Sequence, residues 1–376
     1  MDCEVLVIGA GVIGLACAER FASAGRSVIV IERHPTFGQE TSSRSSEVIH
    51  AGLYYPTGSL KAELCVEGRR LLLEWCRAHG VRHALVGKLI VATTSEEETS
   101  LAALQARAMA NGITSIVPIT GAKAREMEPR VRAMTALWSP ESGIFDSHGF
   151  MRSLVQSARD HGCQFAWNHR VIAVKPRREG WRLQVSSGAG DESLDARVVI
   201  NAAGLRADEV AELAGFDVDA CGYRQLWVKG RYFRIRRQGL VSRLVYPVPP
   251  ANLPGLGIHV TVDLEGGARL GPDVEPLTGR EERYGVPESA VPAFVAAASR
   301  YLEGLAATDL IPDQAGIRPR LSEAGAPSRD FVVAEESAGG HHGWVNLIGI
   351  ESPGLTASLA IAAAVEILVR ERGLPA

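Results

Sequence analysis

The sequence predicts an α/β fold in two domains, each discontinuous along the chain. Three observations carry that reading. A strand–helix–strand unit occupies residues 4 to 32; strands that break at small residues and run into helices return near Ile200 and Ile348; and from Arg224 to about Arg269 the pattern changes to alternating strands with Pro and Gly turns. The first two belong to a parallel sheet with helices on its faces, the third to an antiparallel sheet.

In the opening unit, EVLVIGAGVIGLACAERFASAGRSVIVIE, the run Val5 to Ile8 makes a buried strand and ends in Gly9, Gly11 and Gly14 at GxGxxG spacing. Gly9 allows the tight turn, Gly11 lets the backbone approach a pyrophosphate, and Gly14 lets the following helix pack on the strand. The helix N-terminus turns its partial positive charge toward the phosphates. Gly25 closes the helix and Ser27 to Ile31 forms the second strand. Glu32 stands at its end, about 20 residues past the glycines, where a carboxylate accepts both ribose hydroxyls. The unit is therefore a Rossmann-like dinucleotide site. SGAGDES, with Gly188 and Gly190, lies between the strand-like runs Trp181 to Val185 and Ala196 to Ile200. It reads as a hairpin turn, so no second dinucleotide site is expected.

The 376 residues are 46% apolar and 22% charged, an ordinary globular balance that allows two domains. A net charge of -3 with scattered charges gives no footprint for nucleic acid. The six cysteines show neither a CxxC pair nor metal spacing, which implies buried free thiols and no metal site. The apolar N-terminus opens with Asp2 and Glu4 rather than a basic segment, so it does not read as a signal peptide. No stretch is long enough to span a bilayer. The expected location is the cytoplasm, with attachment at a membrane periphery left open.

Past Glu32, TSSRSS offers five hydroxyls and Arg44, a composition suited to gripping a pyrophosphate from the side opposite the first helix. Ser59 caps a helix that runs to about His79 and stops at Gly80. Residues 86 to 94 read as a strand, 96 to 111 as a polar helix, and 144 to 149 as a turn into a helix beginning near Phe150. Arg170 to Val174 and Ala196 to Ile200 restore parallel-sheet character, and the second run ends in NAAGLRAD, where Ala202, Ala203 and Gly204 permit a further close approach to the dinucleotide. GWVNLIGIESPGLTASLAIAAAVEIL supplies a last strand, a Gly and Pro turn and a closing helix. The expected division is a dinucleotide-binding domain of 1-85, 145-222 and 326-376 and an antiparallel-sheet substrate domain of 86-144 and 223-325.

These residues resemble the FAD-dependent oxidoreductases of the D-amino-acid oxidase and glycerol-3-phosphate dehydrogenase type over nearly the whole chain. Within them SEVIHAGLYYPTGSLKAELCVEG, YPVPPANLPGLGIHVT and RLGPD are similar to segments of the L-2-hydroxyglutarate dehydrogenases. The resemblance implies an extended FAD. Gly9, Gly11, Val12, Ile13, Gly14, Glu32 and Arg33 would hold its ADP half, Thr41, Ser42, Arg44, Ser45 and Ser46 the phosphates and ribityl side, Val171 the adenine, and Ala203 with Gly204 the middle. Gly349, Pro353, Gly354, Leu355 and Thr356 would line the flavin. The sequence departs from the family around the first serines of TSSRSSEVIHAG and at Lys229, where the family carries arginine.

Oxidation of a small 2-hydroxy carboxylate needs a base for the hydroxyl proton and a cation for the carboxylate. His259, in an alternating strand, is the first candidate base and His50 the second. An imidazole with an unperturbed pKa of about 6.5 suits proton removal at neutral pH. Arg318 and Arg320 in AGIRPRL are the candidate carboxylate ligands, Arg318 favoured by the glycine before it. Tyr54, Tyr55 and Tyr246 would donate hydroxyls or simply pack. Lys61 and Lys229 would bind a second carboxylate or remain solvated. The alternative reading is an amine or amino-acid oxidase of the same fold. Oxygen, a quinone or a carrier would each serve as electron acceptor.

Overall fold

The opening unit forms as its spacing dictates. The strand Cys3–Ile8 pairs in parallel with Val28–Glu32, and the helix Val12–Ser23 connects them. A Cβ on Gly9 would lie 2.6 Å from Ala202 O, and one on Gly14 2.0 Å from Gly9 O, so this turn packs without room for a side chain at either position. The structure is a computed structural model that describes residues 1–249, 256–323 and 329–373. The stretch 250–255, within one of the strings that carry the family resemblance, lies outside the described residues, as does the expected boundary at 325 and 326.

Among the described residues the chain builds two large sheets. The eight-stranded one runs in the order Arg170–Arg177, Gly180–Ser187, Gly190–Asn201, Cys3–Ile8, Val28–Glu32, Gln164–Trp167, with Trp344–Ile348 against Gly190–Asn201 and Val332–Glu335 beyond it. The hairpin through Gly188 is present, with Ser187 opposite Gly190. Arg170–Arg177 departs from the expected parallel character. It is antiparallel to Gly180–Ser187, because the hairpin that follows it leaves no crossover through which to return in parallel. Gly190–Asn201 is parallel to Cys3–Ile8, as expected.

The nine-stranded sheet gathers Lys88–Ala92, Val117–Thr120, Thr135–Ser139 and the strands between Leu226 and Arg320. Most of its pairs are antiparallel; Leu244–Pro247 is the exception, running parallel to Lys88–Ala92. A three-stranded patch, Val48–Ile49, Gly143–Phe145 and His83–Ala84, lies apart from both.

The helix Leu60–Ala78 starts where Ser59 caps it, the Ser59 side chain accepting the Ala62 N–H, a contact worth about 1 kcal/mol. The helix after the 144–149 turn begins at Ser147 rather than near Phe150, because Asp146 accepts the Gly149 N–H and starts it one turn earlier. The closing helix Gly354–Glu371 packs against both Val12–Ser23 and Leu60–Ala78, and Ala357 and Ile361 on it are fully buried. Five cysteines are buried and Cys221 is exposed, all free. Among the described residues no helix is long and apolar enough to cross a membrane.

Candidate active site

Two cavities share the walls formed by Gly11, Thr41, Ser42, Ala202 and Gly204, and together they make one elongated channel. One end is set by Glu32, Arg33 and Val171, the other by His50, Arg318 and the turn Ser352–Leu355. Glu32 is fixed for recognition. Its carboxylate accepts the Ala10 N–H at 2.7 Å and the His34 N–H at 2.8 Å, while burial pushes its pKa up.

The TSSRSS loop does more than face a phosphate. Gly11 caps the helix Val12–Ser23 without a side chain, and Ser42 Oγ supplies the missing acceptor for Val12 N–H at 3.0 Å. The loop is also sewn to the strand Leu310–Arg320. Thr41 Oγ1 donates to Ile317 O at 3.0 Å, Gln314 Nε2 donates to Ser45 O at 3.0 Å, and a Cβ on Gly316 would stand 2.5 Å from Arg44 O. The same contacts therefore register Arg318 against the channel.

Val12, Ile13, Arg44, Ser45, Ser46, Pro353, Gly354 and Leu355 line the end with His50, and Gly9 and Ala203 the end with Glu32. Gly14, Gly349 and Thr356 stand behind the walls. Gly14 packs on Gly9, Gly349 N–H donates to Gln225 Oε1 at 2.8 Å, and Thr356 is fully buried.

At the His50 end the histidines differ. His50 lines the channel, its Nε2 3.3 Å from Ser352 Oγ, which is in turn 3.5 Å from Tyr55 Oη. His259 is stacked on Tyr246 and bonds Gly257 O through Nδ1 at 2.8 Å; a carbonyl only accepts, so Nδ1 carries the proton. Burial lowers both pKa values, that of His259 to about 3 despite the Gly257 bond, and the Lys88 charge adds to the lowering at each. Both imidazoles are neutral at pH 7.

The two arginines separate as well. Arg320 faces Glu351, its Nε 3.5 Å from Oε1, and Lys61 meets the same oxygen at 3.1 Å. Arg318 lines the channel and, among the described residues, makes one side-chain hydrogen bond, Nη2 to Asp273 O at 3.3 Å. Lys229 donates to Gly285 O at 2.6 Å. Gly230, Tyr232 and Ser352 are wall residues that the sequence did not single out, whereas Gly316 is the glycine that favoured Arg318. The tight spacing around Gly316 in AGIR was the one visible sign.

A family of FAD-dependent oxidoreductases matches residues 4–366. The chain belongs to that family. It is 38% identical to an L-2-hydroxyglutarate dehydrogenase of Arabidopsis thaliana, over 96% of this chain and 82% of the relative. It is 29% identical to one of Indibacter alkaliphilus, over 97% and 98%. Among solved structures, an L-alpha-glycerophosphate oxidase from Mycoplasma pneumoniae with FAD bound superposes with a TM-score of 0.87 at 26% identity, covering 98% of this chain and 94% of the other. A glycine oxidase from Geobacillus kaustophilus shares the fold, with a TM-score of 0.79 at 22% identity.

FAD is thus the cofactor of this oxidoreductase, and the channel fits it. Among the described residues, Arg44 Nε and Arg206 Nε are buried at its walls without a hydrogen-bond partner, donors placed for an anionic ligand. At the adenosine end the Glu32 carboxylate is already oriented by two backbone N–H groups.

Proposed function

We propose that the enzyme oxidises a small 2-hydroxy carboxylate, L-2-hydroxyglutarate or a close relative, to the 2-oxo acid. The observation that carries this reading is the pairing of a neutral imidazole, His50, with an open guanidinium, Arg318, on the walls of one channel end. The names of the two relatives described above support the substrate class.

FAD supplies a two-electron acceptor for the hydride that leaves the hydroxyl-bearing carbon. The chain's own residues manage the rest. Arg318 holds the carboxylate in a planar fork and fixes which face of the carbon is presented. His50 Nε2 takes the hydroxyl proton as the carbonyl forms, and Ser352 Oγ beside it orients the ring. His259, stacked on Tyr246, is a second neutral ring within electrostatic reach of this base. We place the FAD-binding part at 1-85, 145-222 and 326-376 and the substrate part at 86-144 and 223-325, a division that follows the membership of the two large sheets.

The test is anaerobic bleaching of the visible flavin band by L-2-hydroxyglutarate, other 2-hydroxy acids, glycerol 3-phosphate and amino acids in turn. Bleaching by the hydroxy acids supports the reading, and bleaching by amino acids alone overturns it.

A further inference from the structure

The strand Lys88–Ala92 reads KLIVA, and its first residue is 1% exposed. It runs through the nine-stranded sheet between Leu244–Pro247 and Thr135–Ser139, a place where a lysine is rare unless paired. Lys88 Nζ stands 4.0 Å from the centroid of the Tyr246 ring and 5.4 Å from that of Tyr54. Among the described residues it has no hydrogen bond and no ion pair. The aromatic faces offset part of the cost of burying an ammonium, yet its N–H donors have no acceptor, and a buried cation without an anion is a costly arrangement to keep.

Other features point the same way. Among the described residues Tyr54 Oη and Thr261 Oγ1 are also buried without a hydrogen-bond partner, and Thr261 is two residues from His259 on the strand His259–Val262. His259 stacks on the same Tyr246 ring that Lys88 covers, with ring centroids 3.7 Å apart. The positive charges of Lys88 and Arg318 both add to the lowering of its pKa. Arg318 lines the channel, whereas Lys88 stands with the Tyr54 and Tyr246 rings, and His50 also lies within reach of the Lys88 charge.

We propose that Lys88, over the rings of Tyr54 and Tyr246, is an anion subsite that takes the second carboxylate of a dicarboxylate substrate whose first is held by Arg318. The assignment rests on the hydroxy-acid reading above and deepens it: the protein discriminates between 2-hydroxy acids by the charge at the far end of the chain. Specificity of this kind comes from the empty subsite as much as from the filled one. A monocarboxylate leaves the ammonium buried and unpaired.

The groups that face Lys88 also make its charge readable. Burial lowers its own pKa to about 7. Burial raises those of Tyr54, Tyr55 and Tyr246, and lifts Cys65 to about 12, while His50 and His259 are pushed down. Of these groups Lys88 is the one that titrates near neutrality.

The experiment titrates FAD-loaded protein with glutarate and with butyrate, neither of which carries a hydroxyl to oxidise, and reads binding from the shift of the flavin absorbance. Near pH 6 the wild-type protein is expected to bind glutarate at least about tenfold more tightly than butyrate. Lys88→Met is expected to bring that ratio to about one with butyrate affinity kept, and Lys88→Arg to retain part of it. Equal affinity in the wild type, or a ratio that survives Lys88→Met, overturns the proposal. Where Lys88→Met fails to hold FAD, the wild type decides alone. The ratio should shrink as the pH rises through the lowered pKa of Lys88. Failure of the hydroxy-acid reading looks different: glutarate still outbinds butyrate, but no hydroxy acid bleaches the flavin.

Discussion

Thr356 Oγ1 accepts the backbone N–H of His50 at 3.1 Å and donates to Val48 O at 3.2 Å. One hydroxyl at the start of the closing helix thereby fixes the segment that carries the base, 306 residues away in sequence. Thr356→Val keeps the shape and strands both backbone groups in a fully buried place. The expected cost is about 1 to 3 kcal/mol of stability, read from the urea midpoint. Because the His50 backbone is released as well, kcat is expected to fall more than KM rises. A variant with unchanged kcat would show that Thr356 serves the fold alone.

His50→Gln removes the proposed base while keeping a side chain of similar reach. The expected result is a fall in kcat of roughly a hundred- to ten-thousand-fold with FAD content unchanged. In the wild type, burial and the Lys88 charge hold His50 neutral well below its ordinary value, so the acid limb of kcat/KM should lie below about pH 6.5. If His259→Gln removes activity and His50→Gln does not, the base is His259.

The parts legible in the sequence are those whose causes are local. Gly9, Gly14 and Glu32 act within one βαβ unit, and Ser59 caps the helix it precedes, so spacing alone reveals them. The helix start at Ser147 was missed by three residues because Asp146 reads equally well as a turn residue or a cap. Lys88 was invisible for a different reason. Its neighbours Tyr246 and His259 come from strands more than 150 residues downstream, and the parallel pairing of Lys88–Ala92 with Leu244–Pro247 that brings them together leaves no mark in either segment. The one local sign was a lysine opening an otherwise apolar run.

Gly230 sets the position of the carboxylate ligand. A Cβ there would lie 2.6 Å from Arg318 Nη2 and 2.7 Å from Pro272 Cβ, so Gly230→Ala must push the guanidinium or the strand. The fold should survive, since the guanidinium is the end of a flexible side chain, while KM for hydroxy acids rises about tenfold or more. Arg318→Lys, which keeps the charge and loses the planar fork, should give a similar rise. Steady-state kinetics of the two variants, with flavin content as the folding control, check the pairing.

His259 and Lys88 each make a contribution to stability that climbs with pH, in two separate windows. The folded value of His259 is about 3 against about 6.5 when unfolded, so between those values the unfolded chain takes up a proton that the folded one refuses. Stability present above about pH 6.5 is therefore lost as the pH falls toward 3, at no more than about 1.4 kcal/mol per pH unit from this group, and His50 acts with the same sign. Lys88 extends the trend upward. Its folded value of about 7 lies below the unfolded one of about 10.4, so the unfolded chain again holds the extra proton and the Lys88 contribution rises from pH 7 toward 10, against five buried thiols that burial pushes up to about 12 and whose contribution falls over the same range. Lys88→Met should flatten that upper limb and raise stability at pH 7 by about 1 to 4 kcal/mol, because an unpaired buried ammonium is replaced by a side chain that packs. Urea unfolding of the wild type and Lys88→Met at pH 5, 7 and 9 measures both limbs. A stability gain of Lys88→Met over the wild type that does not shrink from pH 7 to 9 would contradict a lysine buried against its own charge.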